Sequence, residues 1–186
     1  GEARDFAVEL LHKLAVGGDA DAQALMACSG EAVALLVSQL RGDVSEQAPA
    51  AASLRHLCGW AEAREVIVSG DGVGALVSAA GSRQLDAHAR KEAAFALAQL
   101  SSPPHGESVA SCGGVEVLME SIKKDGGGEL TLAAASALAS LVGVPSGSRA
   151  ILRVGVAPCV QLLQSQSEGV RLDSLRVLES LSSSDE

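Results

Sequence analysis

The chain has 186 residues and a formal net charge of −9, from 23 Asp and Glu against 14 Lys and Arg. That balance speaks against nucleic acid as a partner, because a phosphate-binding face needs clustered cations and the one lysine pair, Lys123–Lys124, lies beside Asp125. Hydrophobic residues make up 47% and aromatic ones only 2%, so a core must be built from Ala, Leu and Val, with no apolar run of the roughly 18 residues a membrane span requires.

The first predicted element is a helix over Arg4–Val16 that carries Phe6, Leu10, Leu11 and Leu14. No companion helices precede it, so the chain is expected to begin in mid-repeat, and self-association through this uncapped helix is expected. The sequence opens at Gly1 without Met and without a charged, apolar leader, which predicts a processed or cut chain and no signal peptide. A glycine turn follows at Gly30. The Gly42-Asp43 loop then opens a long helix, with Asp43 or Ser45 as its N-cap and Pro49 close to its first turn.

The next unit is the clearest. It reads as a short helix Ala61–Val68, a turn Ser69–Gly72, a second helix Val73–Ala80 and a third helix Leu85–Leu100 capped by Ser82 or Asp86. Glycine turns recur at Gly113 with Gly114 and at Gly155, where a left-handed residue is expected to end a helix. Pro103-Pro104, Pro145 and Pro158 punctuate later boundaries. In the last helix Leu172, Leu175, Leu178 and Leu181 recur at i+3 beside Val170 and Val177. Arg171, Asp173, Arg176 and Glu179 are expected to give that helix the wet face of a terminal repeat.

These elements repeat. Leu11, Leu54, Leu97, Leu138 and Leu178 fall in register at spacings of 43, 43, 41 and 40. A second ladder, Met26, Ile67, Val109 and Ile151, is followed nine residues later by Leu35, Leu76, Leu118 and Val160. A period near 42 predicts stacked helical units, none able to bury its apolar face alone. The expected organisation is all-α, one solenoid domain over 1–186, with units 1–17 (partial), 18–59, 60–102, 103–143 and 144–182 and a tail 183–186.

Four cysteines, Cys28, Cys58, Cys112 and Cys159, show no metal-ligand spacing. They are expected to be buried, reduced thiols, which places the chain in a reducing intracellular compartment, the cytoplasm. His12, His56, His88 and His105 are scattered singly and are expected at the surface or in a groove.

The motif I-x(3)-G-G-V-x(2)-L followed by A-A-x-A-L resembles that of the armadillo-repeat family, which includes the catenins and the importin alpha adaptors. Its clearest copies are Val109–Leu118 with Ala133–Leu138, and Ile67–Leu76 with Ala93–Leu97. A HEAT-type reading, with two helices per unit, lacks the glycine-turned short pair. The resemblance implies a right-handed superhelix of four three-helix repeats after one orphan third helix, with third helices lining a concave groove. In the family an asparagine two residues after the landmark leucine pins the backbone of a bound peptide. Here those positions are Lys13, His56, Gln99, Ser140 and Ser180, and the family's tryptophan positions are Glu9, Ala52, Phe95, Ser136 and Arg176. The tryptophan–asparagine array is absent, which argues against a basic nuclear-localisation peptide as ligand.

No nucleophile elbow, phosphate loop, zinc helix or kinase signature occurs, so no enzyme and no cofactor is expected. The stretch Gly70-Asp71-Gly72-Val73-Gly74 lacks the third glycine of a dinucleotide fingerprint and the strand before it. The expected function is a protein-interaction scaffold that holds a partner segment along Glu9, Lys13, His56, Trp60, Phe95, Gln99, Ser136, Ser140, Arg176 and Ser180. Gly59 stops a helix, so Trp60 can alternatively fold back on Leu54, and Phe95 can alternatively fill the core. The competing readings are a structural subunit of a large axonemal or organellar assembly, held by its ends and convex face, and the substrate-selecting region of a longer ubiquitin ligase.

Overall fold

The computed structural model describes residues 12–17, 29–125 and 128–183, and every regular element among them is an α-helix. Phe6, Glu9, Leu10, Leu11, Met26 and Cys28 lie outside the described residues. The chain divides into two compact units, Gly1–Ala96 and Leu97–Glu186.

In the first unit residues 12–16 are helical. They are followed by α1 (Gly30–Gln39), α2 (Val44–Leu57), α3 (Ala61–Ser69), α4 (Gly72–Gly81) and the larger part of α5 (Ala87–Leu100). Ser29 caps α1 by accepting the Ala32 N–H, so Gly30 is the first helical residue rather than a turn. Asp43 holds the N-cap position of α2 without a side-chain cap bond, and because α2 begins at Val44, Pro49 lies in its second turn. Asp86 caps α5, its carboxylate accepting the Ala89 N–H at 2.7 Å. Helix α1 packs on α2, α3 and α4. Leu36, Leu54, Leu57, Ile67 and Leu76 are fully buried. Leu36, not the half-buried Leu35, is therefore the rung that matches Leu76.

The turn between α3 and α4 needs two unusual residues. Asp71 takes the left-handed conformation (φ 58°) that the sequence reading gives to glycine. Gly72 solves a different problem: a Cβ there would stand 2.7 Å from the Ile67 carbonyl oxygen. In the second unit Gly113 (φ 91°) bends the chain, and a Cβ on Gly114 would stand 2.8 Å from the Val109 carbonyl oxygen. One residue turns the backbone and the next lets a helix start against its predecessor.

The second unit continues with α6 (Gly106–Ser111), α7 (Gly114–Asp125), α8 (Glu129–Leu141), α9 (Pro145–Val154), α10 (Ala157–Leu162) and α11 (Glu168–Ser183). Helix α8 packs on α7 and α11, α9 on α6 and α7, and α10 on α11. Val109, Leu118, Met119, Leu138, Leu141 and Ile151 are fully buried.

Val160 is 48% exposed, while the adjacent Cys159 is buried. In α11 the buried residues are Val170, Ser174, Val177 and Leu181, whereas Leu172 and Leu175 are 51% and 43% exposed. Three residues turn a helix by about 300°, so leucines three apart drift by about 60° per step, and Leu172 and Leu181 face opposite sides. Cys112, at the C-terminal end of α6, is exposed rather than buried. His105, just before α6, is buried rather than at the surface.

Candidate functional site

The residues expected to line a groove belong mainly to the third helix of each repeat: residues 12–16, α2, α5, α8 and α11. In the first unit, cross-helix contacts tie these elements together. His12 Nδ1 lies 2.8 Å from Ser53 Oγ, joining residues 12–16 to α2, and Ser53 Oγ donates to the Pro49 carbonyl at 2.7 Å. Arg55 Nη1 stands 2.9 and 3.0 Å from the two carboxylate oxygens of Glu92, joining α2 to α5. The Glu92 side chain is 6% exposed, so its charge depends on the arginine to offset lost hydration.

The same arginine covers Phe95. Arg55 Cζ lies 4.3 Å from the ring centroid and Lys91 Nζ lies 5.8 Å from it, so two cations approach one aromatic ring. Phe95 is itself 6% exposed. The residue at the family's tryptophan position thus lies beneath Arg55 and Lys91 instead of standing open. Lys13 and His56, both two residues after a landmark leucine, are exposed, and Ala52 is half-buried. Trp60 stands beyond α2, half-buried at the N-cap of α3, with its backbone N–H donating to the Leu57 carbonyl at 2.9 Å. Glu9 is outside the described residues.

In the second unit the serines at the corresponding positions are smaller and Arg176 is already engaged, while Gln99 is a longer exposed side chain. Gln99 is exposed near the end of α5, and Ser136 is exposed on α8. Ser140 is half-buried and its hydroxyl donates to the Ser136 carbonyl at 3.2 Å. Arg176 is exposed on α11 with Nη1 3.4 Å from Asp173, and Ser180 is half-buried.

Sequence reasoning missed Arg55, Lys91 and Glu92. The available signal was the charged Lys91-Glu92 step in an alanine-rich third helix. Its partner 37 residues earlier emerges only once α2 and α5 are set side by side.

Burial pushes the Cys58 thiol up to about 12, with nearby Arg64 opposing, and pushes Cys159 up to about 11. Both are therefore protonated and weakly nucleophilic at neutral pH. Among the described residues no group of three His, Cys, Asp or Glu side chains is placed to hold a metal ion, and no helix is long and apolar enough to cross a membrane. An open depression of about 560 Å³ in the second unit is bounded by Ile122, Thr131, Pro158, Gln161, Leu162 and Gln164, among others.

No family model and no curated protein matches the chain. Solved structures do. An engineered protein is 30% identical with a TM-score of 0.72 over 95% of this chain and 80% of its own. A computationally designed armadillo repeat protein for modular peptide recognition is 18% identical with a TM-score of 0.78, over 95% of this chain and 74% of its own. A designed armadillo repeat protein in complex with the peptide (KR)4 is 17% identical with a TM-score of 0.75, over 97% of this chain and 81% of its own. The glycine-turned short helices, the long third helices with buried Leu54, Leu97 and Leu138, and these neighbours agree: the chain has the armadillo-repeat fold.

Proposed function

We propose that the chain is a non-enzymatic scaffold that binds a segment of a protein partner along the faces of its third helices. The observation that carries this reading is that Lys13, His56 and Gln99, at equivalent positions of successive third helices, are all exposed on a fold whose designed members include peptide binders. The repeat boundaries at 59/60, 102/103 and 143/144 belong to the same proposal. They are supported by the helix ends, since each break falls between a long helix and the short one after it. Trp60, Phe95, Ser136, Ser140, Arg176 and Ser180 complete the proposed set within their own units, and Glu9 is retained from the sequence.

The test is partner capture by the wild-type chain and by the His56→Ala/Gln99→Ala double variant. Both side chains are exposed, so the melting temperature is expected to stay nearly constant while affinity falls by about 1–2 kcal/mol. A second reading is a subunit held in an assembly by its ends and outer faces. The exposed Leu152 on α9 and Leu172 and Leu175 on α11 favour it. Full-strength binding by the double variant would select that reading.

A further inference from the structure

We propose that the outer face of α11 pairs with the same face of a second copy of the chain, the two helices antiparallel and centred on Leu175. This goes beyond the scaffold reading and does not depend on it. The starting point is a position that repeats. Three residues before the landmark leucine, Ala51, Ala94 and Ala135 are at most 2% exposed, and the leucines themselves, Leu54, Leu97 and Leu138, are fully buried. Helix α8, which carries Ala135 and Leu138, has α11 packed on it. On α11 the matching residues are Leu175, which is 43% exposed, and Leu178, which is only half-buried. Helix α11 thus presents, uncovered, the positions that earlier third helices bury.

The residue at that position is also larger. Leucine has three carbons more than alanine, and extra carbons forced into close packing strain it. Leu175 therefore suits a helix that stands further off than a stacked repeat does, and a second α11 meets that need. At about 100° per residue, Leu172 and Leu178 lie about 60° to either side of Leu175, and Arg171 and Glu179 about 40°. In an antiparallel pair each side chain meets, at its own height, the one equally far beyond Leu175 in the second copy. Leu175 then meets Leu175, Leu172 meets Leu178, Arg171 meets Glu179 and Glu168 meets Ser182. The face is therefore complementary to itself in apolar surface and in charge. Arg176 and Ser180 lie at least about 100° around the helix from Leu175, so the positions proposed for a partner segment stay open. A contact of this symmetry closes at two copies. One helix pair buries less than the roughly 800 Å² per partner of a stable interface, so the dissociation constant is on the order of 10–100 µM.

Sedimentation equilibrium of the whole chain from about 5 to about 500 µM tests this without any other partner. The salt is held at about 150 mM, which screens the net charge of −9 on each copy. The expected result is a monomer–dimer equilibrium that Leu175→Glu weakens at least about tenfold. The helical spectrum of the dilute variant should be unchanged, because the residue is exposed. Leu152→Glu, at an exposed leucine of α9, should leave the dimer as it is. Glu179→Arg is expected to weaken it about fivefold, and adding Arg171→Glu to restore it. Arg171 also donates to the Ser165 and Gln166 carbonyls, so the melting temperature of the double variant is read alongside. If it falls, Glu179→Arg alone decides, and no weakening there overturns the inference. A chain still monomeric at the highest concentration, assembly beyond two copies, or a dimer indifferent to Leu175→Glu would each overturn it. So would a dimer equally sensitive to Leu152→Glu, or a stable double variant that fails to restore pairing.

Discussion

Gln39 shows how a single side chain can work against the core that surrounds it. Its amide oxygen and nitrogen are buried on α1, and neither finds a hydrogen-bond partner among the described residues. On α4 the matching buried position, 40 residues on, is Ala79. An unpaired buried amide costs about 1–3 kcal/mol of lost hydration. Gln39→Leu, similar in size and apolar, is expected to stabilise the chain by about 1–2 kcal/mol, read as a higher urea midpoint at unchanged slope. A lower midpoint would mean the amide is satisfied in solution.

Cys58 gives the pH counterpart. Burial raises its folded pKa from 9.0 to about 12, so as pH climbs the unfolded thiol ionises first. Its contribution is therefore complete below about pH 9 and is lost between there and about pH 12. Cys159 acts with the same sign toward about 11. The loss of stability between about pH 8 and pH 10.5 is expected to shrink in Cys58→Ala, measured by urea melts at the two values. An identical loss in both proteins would refute the assignment.

The landmark leucines Leu54, Leu97 and Leu138 were legible at this scale because each must fill the same hole in successive repeats, which fixes their spacing. The Arg55–Glu92 pair was not, since spacing along one helix says nothing of which charge a neighbouring helix presents. Phe95 was read both ways, and only its position beneath Arg55 and Lys91 shows that it is buried.

Among elements, α11 separates what composition suggests from what geometry enforces. Its leucines every three residues read as one stripe, yet burial follows Val170, Ser174, Val177 and Leu181, with steps of four, three and four that hold one face. Leu172→Ser is accordingly expected to change stability by less than about 0.5 kcal/mol, whereas Val177→Ala should cost about 1–3 kcal/mol, both by thermal melts. Equal costs would contradict the assigned faces. The short helices were easier to read. The expected Ala61–Val68 differs from α3 by one residue at its C-terminal end and Val73–Ala80 from α4 by one residue at each end, because turn residues at 70–72 leave little freedom in where a helix stops. The third helix, expected from Leu85, starts at Ala87 because Asp86 is its cap.

At the scale of the whole molecule, the repeat period and the alanine-rich third helices made the fold legible, and the similarity to designed armadillo repeat proteins over 95% and 97% of the chain agrees. Function was less legible for a physical reason. Repeat spacing marks where a third helix presents a side chain, but the asparagine and tryptophan that would name a ligand are replaced here by residues of mixed size and charge. What distinguishes a scaffold from an assembly subunit is which face touches the partner. Site-specific photo-crosslinking reads that directly, with the reactive residue placed at the exposed His56, at Gln99, or at the exposed Arg149 on α9. The account predicts a discrete partner adduct from His56 and Gln99 and none from Arg149. An adduct from Arg149 with none from the third helices would contradict it.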